Sequence, residues 1–363
     1  MDAPFNLKYY KPGHHETEIA YMGCRTRVMS NVCDPTREIT YGRGNLSFTS
    51  VNLPRIAIRS HGDLDWFFED LDRKIDLVID QLLDRFRIQC GKRVRNYPFL
   101  MGEGVWLDSE KLGPDDEVGE VLKHGTLTLG FIGLAECLKA LIGVHHGESD
   151  EAQNLGLEIV GHMRQRMDEA TEKYHLNFSL IATPAEGLSG RFVKIDREKY
   201  GMIPGVTDRD YYTNSFHVPV YYPISAFEKI AREAPYHELT NGGHISYIEL
   251  DGALVLDIDN TLTADRSQEL PDEVAGWLAQ MKEAGIGYGA INHPIDRDPV
   301  CGYTGIIGEV CPRCGRREGE GVPLSKLQKL GLYKNYNSTT IGYHGDPAEE
   351  ADRQPNTLKI VKK

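Results

Sequence analysis

Long helical segments alternate with short apolar, strand-like runs along much of this 363-residue chain. Residues 63–90 and 151–176 carry apolar side chains at helical spacing and predict two long amphipathic helices. Residues 124–143 combine a strand or loop with a buried helix, and residues 177–182 form a β-like run before a helix start at Pro184. This alternation is typical of α/β folds, so we predict the α/β class.

The pattern continues on both sides of these segments. Residues 41–48 predict a loop entering a strand, residues 211–222 and 244–252 predict strands, and residues 224–234 predict a helix. Beyond residue 254 the chain changes character. An aspartate-containing stretch, a helix at 271–285, a β-like run at 286–292, a cysteine-rich segment and a tail follow.

Composition excludes several classes of function. The formal net charge of -13 argues against broad nucleic-acid binding, because phosphate contacts need concentrated Lys and Arg, and basic clusters such as residues 92–95 are short. No apolar run approaches the roughly 18 to 20 residues that span a bilayer, and the first residues lack the apolar region of a signal peptide. We therefore expect a cytoplasmic protein with no membrane partner.

Three cysteines near the C-terminus have the spacing of metal ligands. Cys301 precedes Cys311, and Cys314 completes a C-x-x-C pair with Cys311. Thiolates at these spacings can converge on one tetrahedral zinc, which requires a fourth ligand. Asp298 stands where a second C-x-x-C pair would be completed and His293 is nearby, so either is a candidate. The sequence predicts structural zinc, with reduced cysteines in a turn-rich loop as the alternative.

The stretch LVLDIDNTLT, residues 254–263, resembles the opening motif of haloacid-dehalogenase-type phosphatases. That resemblance implies that Asp257 attacks phosphorus, that Asp259 is the general acid and base, and that both neighbour Mg²⁺. A magnesium-dependent phosphohydrolase is therefore one alternative function. A turn that caps the helix beginning near Pro271 is the structural explanation.

Seven longer motifs resemble another family. They are residues 20–28, 42–58, 130–143, 183–192, 211–220, 241–252 and 285–316. In this order they resemble the C-terminal half of anaerobic (class III) ribonucleoside-triphosphate reductases, which are glycyl-radical enzymes. The resemblance implies part of a ten-stranded α/β barrel with a C-terminal zinc-binding segment, and anaerobic reduction of ribonucleoside triphosphates to 2'-deoxyribonucleoside triphosphates.

The resemblance also assigns roles to individual residues. Alone, Cys24 beside two arginines could be a thiolate, a radical sulfur or a free structural cysteine. By resemblance it becomes the thiyl radical at the tip of a finger loop, shielded from water and oxygen. Met22 and Asn45 match positions where formate supplies reducing equivalents, and Thr183 and Glu186 would face the substrate.

The candidate for the radical glycine is Gly342, because the Gly342-Tyr343 pair is what remains of the family's signature. The resemblance implies that the zinc held by the three cysteines braces this C-terminal segment. We expect residues 1–252 to form the barrel portion with the finger loop, and residues 253–363 to form a zinc and glycyl-radical segment. A chimera of that segment with the phosphatase-like motif is the alternative.

The resemblance implies partners too. A radical-S-adenosylmethionine activating enzyme would generate the glycyl radical, and a homodimer is the expected assembly. The family's regulatory region and first half-barrel have no counterpart in this sequence, so we expect the chain alone to be inactive or poorly soluble. A separate N-terminal reductase half could supply the missing strands.

Overall fold

A parallel three-stranded sheet is the centre of the fold. The computed structural model describes residues 4–23, 25–38, 40–185, 187–249, 272–292, 296–305, 310–311, 313–317, 320–322 and 352. The sheet has the order β1-β2-β3, with β1 at Asn45–Asn52, β2 at Thr126–Ile132 and β3 at Asn177–Ala182. Asn45 is in register with Thr126, and Thr126 with Asn177. The α/β class is thus confirmed.

Long crossover connections make the parallel pairing possible. The helices, numbered along the chain, are α1 Pro4–Leu7, α2 Leu53–Ser60, α3 Leu64–Cys90, α4 Gly119–Leu122, α5 Leu134–Ile142, α6 Asp150–Tyr174, α7 Gly187–Tyr200, α8 Ala226–Leu239 and α9 Asp272–Glu283. Helices α2, α3 and α4 connect β1 to β2, and α5 and α6 connect β2 to β3. Both long amphipathic helices are confirmed.

The main hydrophobic core lies between the sheet and these helices. Phe67, Leu71 and Ile75 of α3 contribute fully buried side chains, and so do Ile159 and Met163 of α6. All residues of β2 and β3 are buried, including polar side chains such as Thr128 and Ser179, whose hydroxyls lie 2.8 Å apart. The sheet is therefore covered by protein along these two strands.

Two smaller sheets lie in the C-terminal part. β4 at Ser246–Glu249 pairs in parallel with β5 at Gly289–Asn292, and α9 connects them. β6 at Asp296–Arg297 and β7 at Thr304–Gly305 form an antiparallel pair beside the cysteines. None of the helices in the described ranges has the length and apolarity needed to cross a membrane.

Two local predictions are wrong. Residues 211–222 form irregular backbone with turns rather than a strand, because their backbone groups bind elsewhere: the carbonyls of Thr213 and Ser215 accept from Gly133 and Leu134 at the start of α5. Helix α7 is described from Gly187, so Pro184 precedes the helix instead of occupying its first turn.

Candidate functional site

A tight hairpin surrounds the position of the predicted radical cysteine. The amide of Met22 donates to the Thr26 carbonyl at 2.6 Å, and the Thr26 amide donates back at 3.2 Å. Gly23 has φ +56, a left-handed conformation that glycine adopts without strain. Cys24 itself lies outside the described residues, so its place at the tip of a finger loop stays a prediction.

The hairpin is attached to the carboxyl end of β3 through Gly243. Thr26 forms an antiparallel bridge with Gly243, and the Gly243 carbonyl accepts from the Ala182 amide at 2.9 Å. A Cβ at Gly243 would lie 2.0 Å from the Arg25 carbonyl oxygen. The two backbones therefore approach so closely that only glycine fits.

Arg25 directs a fully buried side chain into the protein. Its guanidinium donates to the Ala182 carbonyl at 3.2 Å and lies 3.4 Å from Nε2 of His217. On the far side of that ring, His217 Nδ1 is 3.4 Å from Oε1 of Glu233. Lys229 Nζ lies 3.8 Å from the same oxygen. These four side chains form one buried polar chain.

The charge of Glu233 follows from its neighbours. Burial alone would raise the pKa of this carboxyl, but Lys229 and His217 outweigh burial and lower the pKa to about 2. Burial lowers the pKa of His217. Glu233 is thus an anion at neutral pH, and the buried chain connects α8 to the hairpin.

Thr183 lies where the sheet ends. Its hydroxyl is buried and lies 2.8 Å from the Ser50 hydroxyl of β1. Gly130 of β2 makes room for this contact, since a Cβ there would meet Thr183 Oγ1 at 2.1 Å. Ligands of parallel α/β sheets bind outside the carboxyl ends of the strands. Thr183 is in that position, and its predicted partner Glu186 lies outside the described residues.

Two buried acids at the same end were not singled out from the sequence. Asp196 accepts from Asn52 at 2.8 Å, from Arg55 at 2.5 Å and from Tyr212 at 3.0 Å. Glu136 follows β2 and accepts from the Thr213 hydroxyl at 2.7 Å; burial raises its pKa. Both acids lie inside helices, and no local spacing marks them. Their partners are remote in sequence.

The remaining predicted residues are placed as follows. Asn45 begins β1 at the amino end of the sheet, and its side chain accepts from the Ser47 amide at 3.0 Å. Met22 belongs to the hairpin. Gly342, Asp257, Asp259 and His293 lie outside the described residues.

The predicted metal ligands converge. Ligand atoms of Asp298, Cys301, Cys311 and Cys314 all lie within 4.8 Å of one another. Cys301 and Cys311 have their sulfurs 3.6 Å apart, close to the roughly 3.8 Å that two thiolates subtend on tetrahedral zinc. Asp298 and Cys311 are buried, whereas Cys314 is exposed. One oxygen and three sulfurs therefore fit a tetrahedral structural site.

Arg316 accompanies this cluster. Its Nη2 donates to Oδ1 of Asp298 at 2.8 Å, and its Nε donates to Oδ2 at 3.2 Å. The arginine holds the pKa of Asp298 well below its usual range. The carboxylate is charged and oriented before any metal arrives.

Comparison with known proteins points to one family. The sequence model of the anaerobic ribonucleoside-triphosphate reductases matches residues 2–324. The anaerobic ribonucleoside-triphosphate reductase of Escherichia coli strain K12 is 35% identical over 313 residues, which is 84% of this chain and 42% of that protein. The enzyme of the same name from Enterobacteria phage T4 is 35% identical over 342 residues, or 91% of this chain and 50% of that protein.

The fold agrees with this similarity. A crystal structure of the anaerobic ribonucleotide reductase from Thermotoga maritima with glycerol in the active site superposes with a TM-score of 0.54 at 20% identity, over 76% of this chain and 40% of that one. The chain thus spans about half the length of the relatives it matches. Because the family match includes residues 254–280, the phosphatase alternative is not favoured.

Proposed function

The chain belongs to the anaerobic ribonucleoside-triphosphate reductase family, and on that premise we propose that it carries the radical-transfer part of such an enzyme. Ribonucleoside triphosphate would be reduced to the 2'-deoxyribonucleoside triphosphate, with loss of the 2'-hydroxyl as water. Formate, oxidised to carbon dioxide, would supply the two electrons. The family match across residues 2–324 is the observation that carries this proposal.

Within this proposal, Cys24 removes the ribose 3'-hydrogen as a thiyl radical. The described residues on both sides of it form the hairpin that is fixed to β3 through Gly243. Attachment to a rigid strand suits a reactive sulfur, because a small displacement of a reacting atom lowers the rate steeply. Met22 would line the formate site beside the hairpin, and Thr183 and Glu186 would face substrate at the sheet's carboxyl end. Asn45 begins β1 at the opposite, amino end of the sheet, so we do not include it in the same formate site as Met22.

We assign radical storage to Gly342, which the radical-S-adenosylmethionine partner would activate. Glycine is required there because a radical centred on Cα can flatten and delocalise into both peptide groups. Zinc at Cys301, Cys311 and Cys314 would be a structural brace for the C-terminal segment that starts near residue 253. Convergence of these sulfurs supports that role.

The assembly is proposed on the same grounds. In the described residues β1 is an edge strand, paired with β2 alone. An edge strand presents unpaired amide and carbonyl groups that accept a further strand. We propose that the sheet continues into a ten-stranded barrel, with further strands supplied by a complementary reductase segment, and that the enzyme functions as a homodimer in the cytoplasm.

Electron paramagnetic resonance after anaerobic activation tests the radical assignment. The chain is incubated with a matching activating enzyme, reductant and S-adenosylmethionine. We expect a glycyl doublet that Gly342→Ala abolishes and that the neighbouring Gly345→Ala retains. No doublet, from an activating enzyme that produces one on a full-length reductase, would contradict the assignment.

A Cys24→Ser variant separates storage of the radical on Gly342 from its transfer through Cys24. It should keep the doublet and lose deoxyribonucleotide formation when assayed with a co-expressed reductase segment supplying the unmatched part of the relatives. Cys33→Ser is the matched control, because Cys33 donates to backbone carbonyls of Lys123 and His175 away from the hairpin, and it should retain turnover. Full turnover in Cys24→Ser would exclude the proposed role of Cys24.

A further inference from the structure

The cluster of three cysteines also contains an acidic residue, Asp298. We propose that Asp298 is the fourth ligand, through Oδ2, and that Arg316 is an outer partner which holds the carboxylate in its ligating orientation. The centre is then a mixed site of three sulfurs and one oxygen. The inference rests on the metal-binding part of the proposed function and deepens it.

The orientation of the carboxylate is the first argument. Oδ1 of Asp298 accepts from the amides of Val300 and Cys301, at 2.8 and 3.4 Å, and from Arg316. Those contacts turn the other oxygen toward the sulfurs, where Oδ2 lies 3.1 Å from Sγ of Cys314. Oδ1 therefore binds the two backbone amides and Nη2 of Arg316, whereas Oδ2, which also accepts from Nε of Arg316 at 3.2 Å, faces the point on which the thiolates converge.

Burial is the second argument. Asp298 has no exposed surface, and a buried carboxylate is costly unless it is paired or coordinates a metal. Three thiolates and a carboxylate around one divalent cation leave a net charge of about −2. The guanidinium of Arg316 offsets half of this excess, so the arginine has an electrostatic role that a neutral donor could not take.

Arg316 also ties the centre to the chain that follows. Its Nη1 donates to the carbonyl of Glu320 at 2.8 Å and to the carbonyl of Val322. The guanidinium thus bridges a metal ligand and the backbone at Glu320 and Val322, which follow the last cysteine. Outer partners of this kind orient the ligand and tune metal affinity. Metal binding by Asp298 is thereby coupled, through Arg316, to the backbone at residues 320–322.

The simplest competing arrangement is an ion pair that replaces the metal. In that case Asp298 and Arg316 cross-link the loop and the cysteines stay reduced. The two arrangements differ in metal content and in the number of sulfurs on the metal. They can be separated without measuring reductase activity.

Cobalt substitution in the full chain is the experiment. Sulfur-to-cobalt charge-transfer absorbance reports the number of thiolates, and ligand-field bands report tetrahedral geometry. We expect one tetrahedral cobalt per chain. Asp298→Cys should raise the charge-transfer absorbance by about a third, since three sulfurs become four, and Cys311→Ser should lower it by about a third. An increase cannot result from misfolding.

Metal affinity tests the arginine. Arg316→Met should weaken zinc binding by about 10- to 100-fold in a chelator competition, as loss of an outer partner typically does. Arg317→Met is the matched control, because the neighbouring side chain is exposed; it should bind zinc as the parent does. Asp298→Ala should weaken zinc binding further than Arg316→Met.

The outcomes distinguish the assignment of Asp298 as fourth ligand from the proposed structural zinc at the three cysteines. Parent-like cobalt spectra in Asp298→Cys, with parent-like affinity in Asp298→Ala, would place the fourth ligand elsewhere and leave the three-cysteine site standing. A parent chain that binds neither zinc nor cobalt would overturn both the mixed site and the structural zinc.

Discussion

At the scale of the single residue, the structure gives Arg25 a different role from the one that its position beside Cys24 indicates. In the sequence, Arg25 and Arg27 are positive neighbours of Cys24 that favour a thiolate. In the structure, Arg25 donates to Ala182, and Arg27 donates to the Asn241 carbonyl at 2.9 Å. Both guanidinium groups anchor the hairpin to distant segments of backbone. The two arginines therefore position the hairpin, and the chemical state of the Cys24 sulfur depends on the hairpin around it.

Loss of the Arg25 side chain should lower the free energy of unfolding for that reason. Arg25→Gln leaves the Ala182 carbonyl and His217 Nε2 buried with a shorter donor that cannot reach both, so we expect the free energy of unfolding to fall by about 1–3 kcal/mol. Urea denaturation measures this. Arg191→Gln, at an exposed position on α7, should change stability by less than about 0.5 kcal/mol. Equal effects in the two variants would refute an anchoring role for Arg25.

At the scale of the element, the hairpin and β3 depend on a backbone contact that no side chain can replace. Gly243→Ala places a methyl group 2.0 Å from the Arg25 carbonyl, at φ +136, where L-residues are strained. We expect the variant to lose about 2 kcal/mol or more of stability, because either the hairpin or β3 must shift. The melting temperature should fall accordingly.

The control for this prediction is a glycine with free space around it. Gly161 lies within α6 and has nothing within 4 Å of an added Cβ. Gly161→Ala should stabilise the protein by about 0.5–1 kcal/mol, since alanine is the better helix former. A Gly243→Ala variant as stable as Gly161→Ala would mean that the hairpin is not held against β3.

Elements were predictable where their signal is local. The apolar periodicity of α3 and α6 and the short β-like run of β3 depend on neighbours a few residues away, and each element is predicted from the sequence. Residues 211–222 have a strand-like composition, but their hydrogen-bond partners are at α5, far along the chain.

The same rule governs the sites. Cysteine spacing identifies three metal ligands, because the pair at 311 and 314 is a local turn. The orientation of Asp298 depends on Arg316, and the buried chain behind Arg25 depends on α8, so neither could be recognised from spacing. Site features that depend on contacts between remote segments of the chain could be identified only from the structure.

At the scale of the whole molecule, buried histidines join its parts. His146 donates from Nε2 to the Phe216 carbonyl at 2.8 Å, while Nδ1 of His237 accepts from the Gly287 amide at 3.1 Å. His244 Nε2 lies 2.8 Å from the Tyr21 hydroxyl. The first contact joins the loop after α5 to the segment before α8, and the other two link α8, the segment after α9 and the N-terminal region. Each uses a neutral imidazole in one tautomer.

Burial determines the protonation of these rings. It lowers the pKa of His146 and of His237 to about 3, and it lowers the pKa of His244 as well. In the unfolded chain a histidine has a pKa near 6.5. Protons therefore bind to the unfolded state first, and stability is lost as the pH falls below about 6.5 and continues to fall until the folded pKa is reached. Above pH 7 the effect vanishes.

The expected slope can be measured and assigned to a single ring. A histidine with a folded pKa of about 3 costs about 2 kcal/mol of stability at pH 5 relative to pH 8. His146→Gln should remove that contribution, so the difference in unfolding free energy between pH 8 and pH 5 becomes smaller by about 2 kcal/mol. His15, whose side chain is 93% accessible, is the matched control, and His15→Gln should change the free energy of unfolding at pH 8 by less than about 0.5 kcal/mol. If urea unfolding of His146→Gln kept the parent's pH dependence, the pKa of His146 would be the same in the folded and unfolded states, and burial would not be what holds this imidazole neutral.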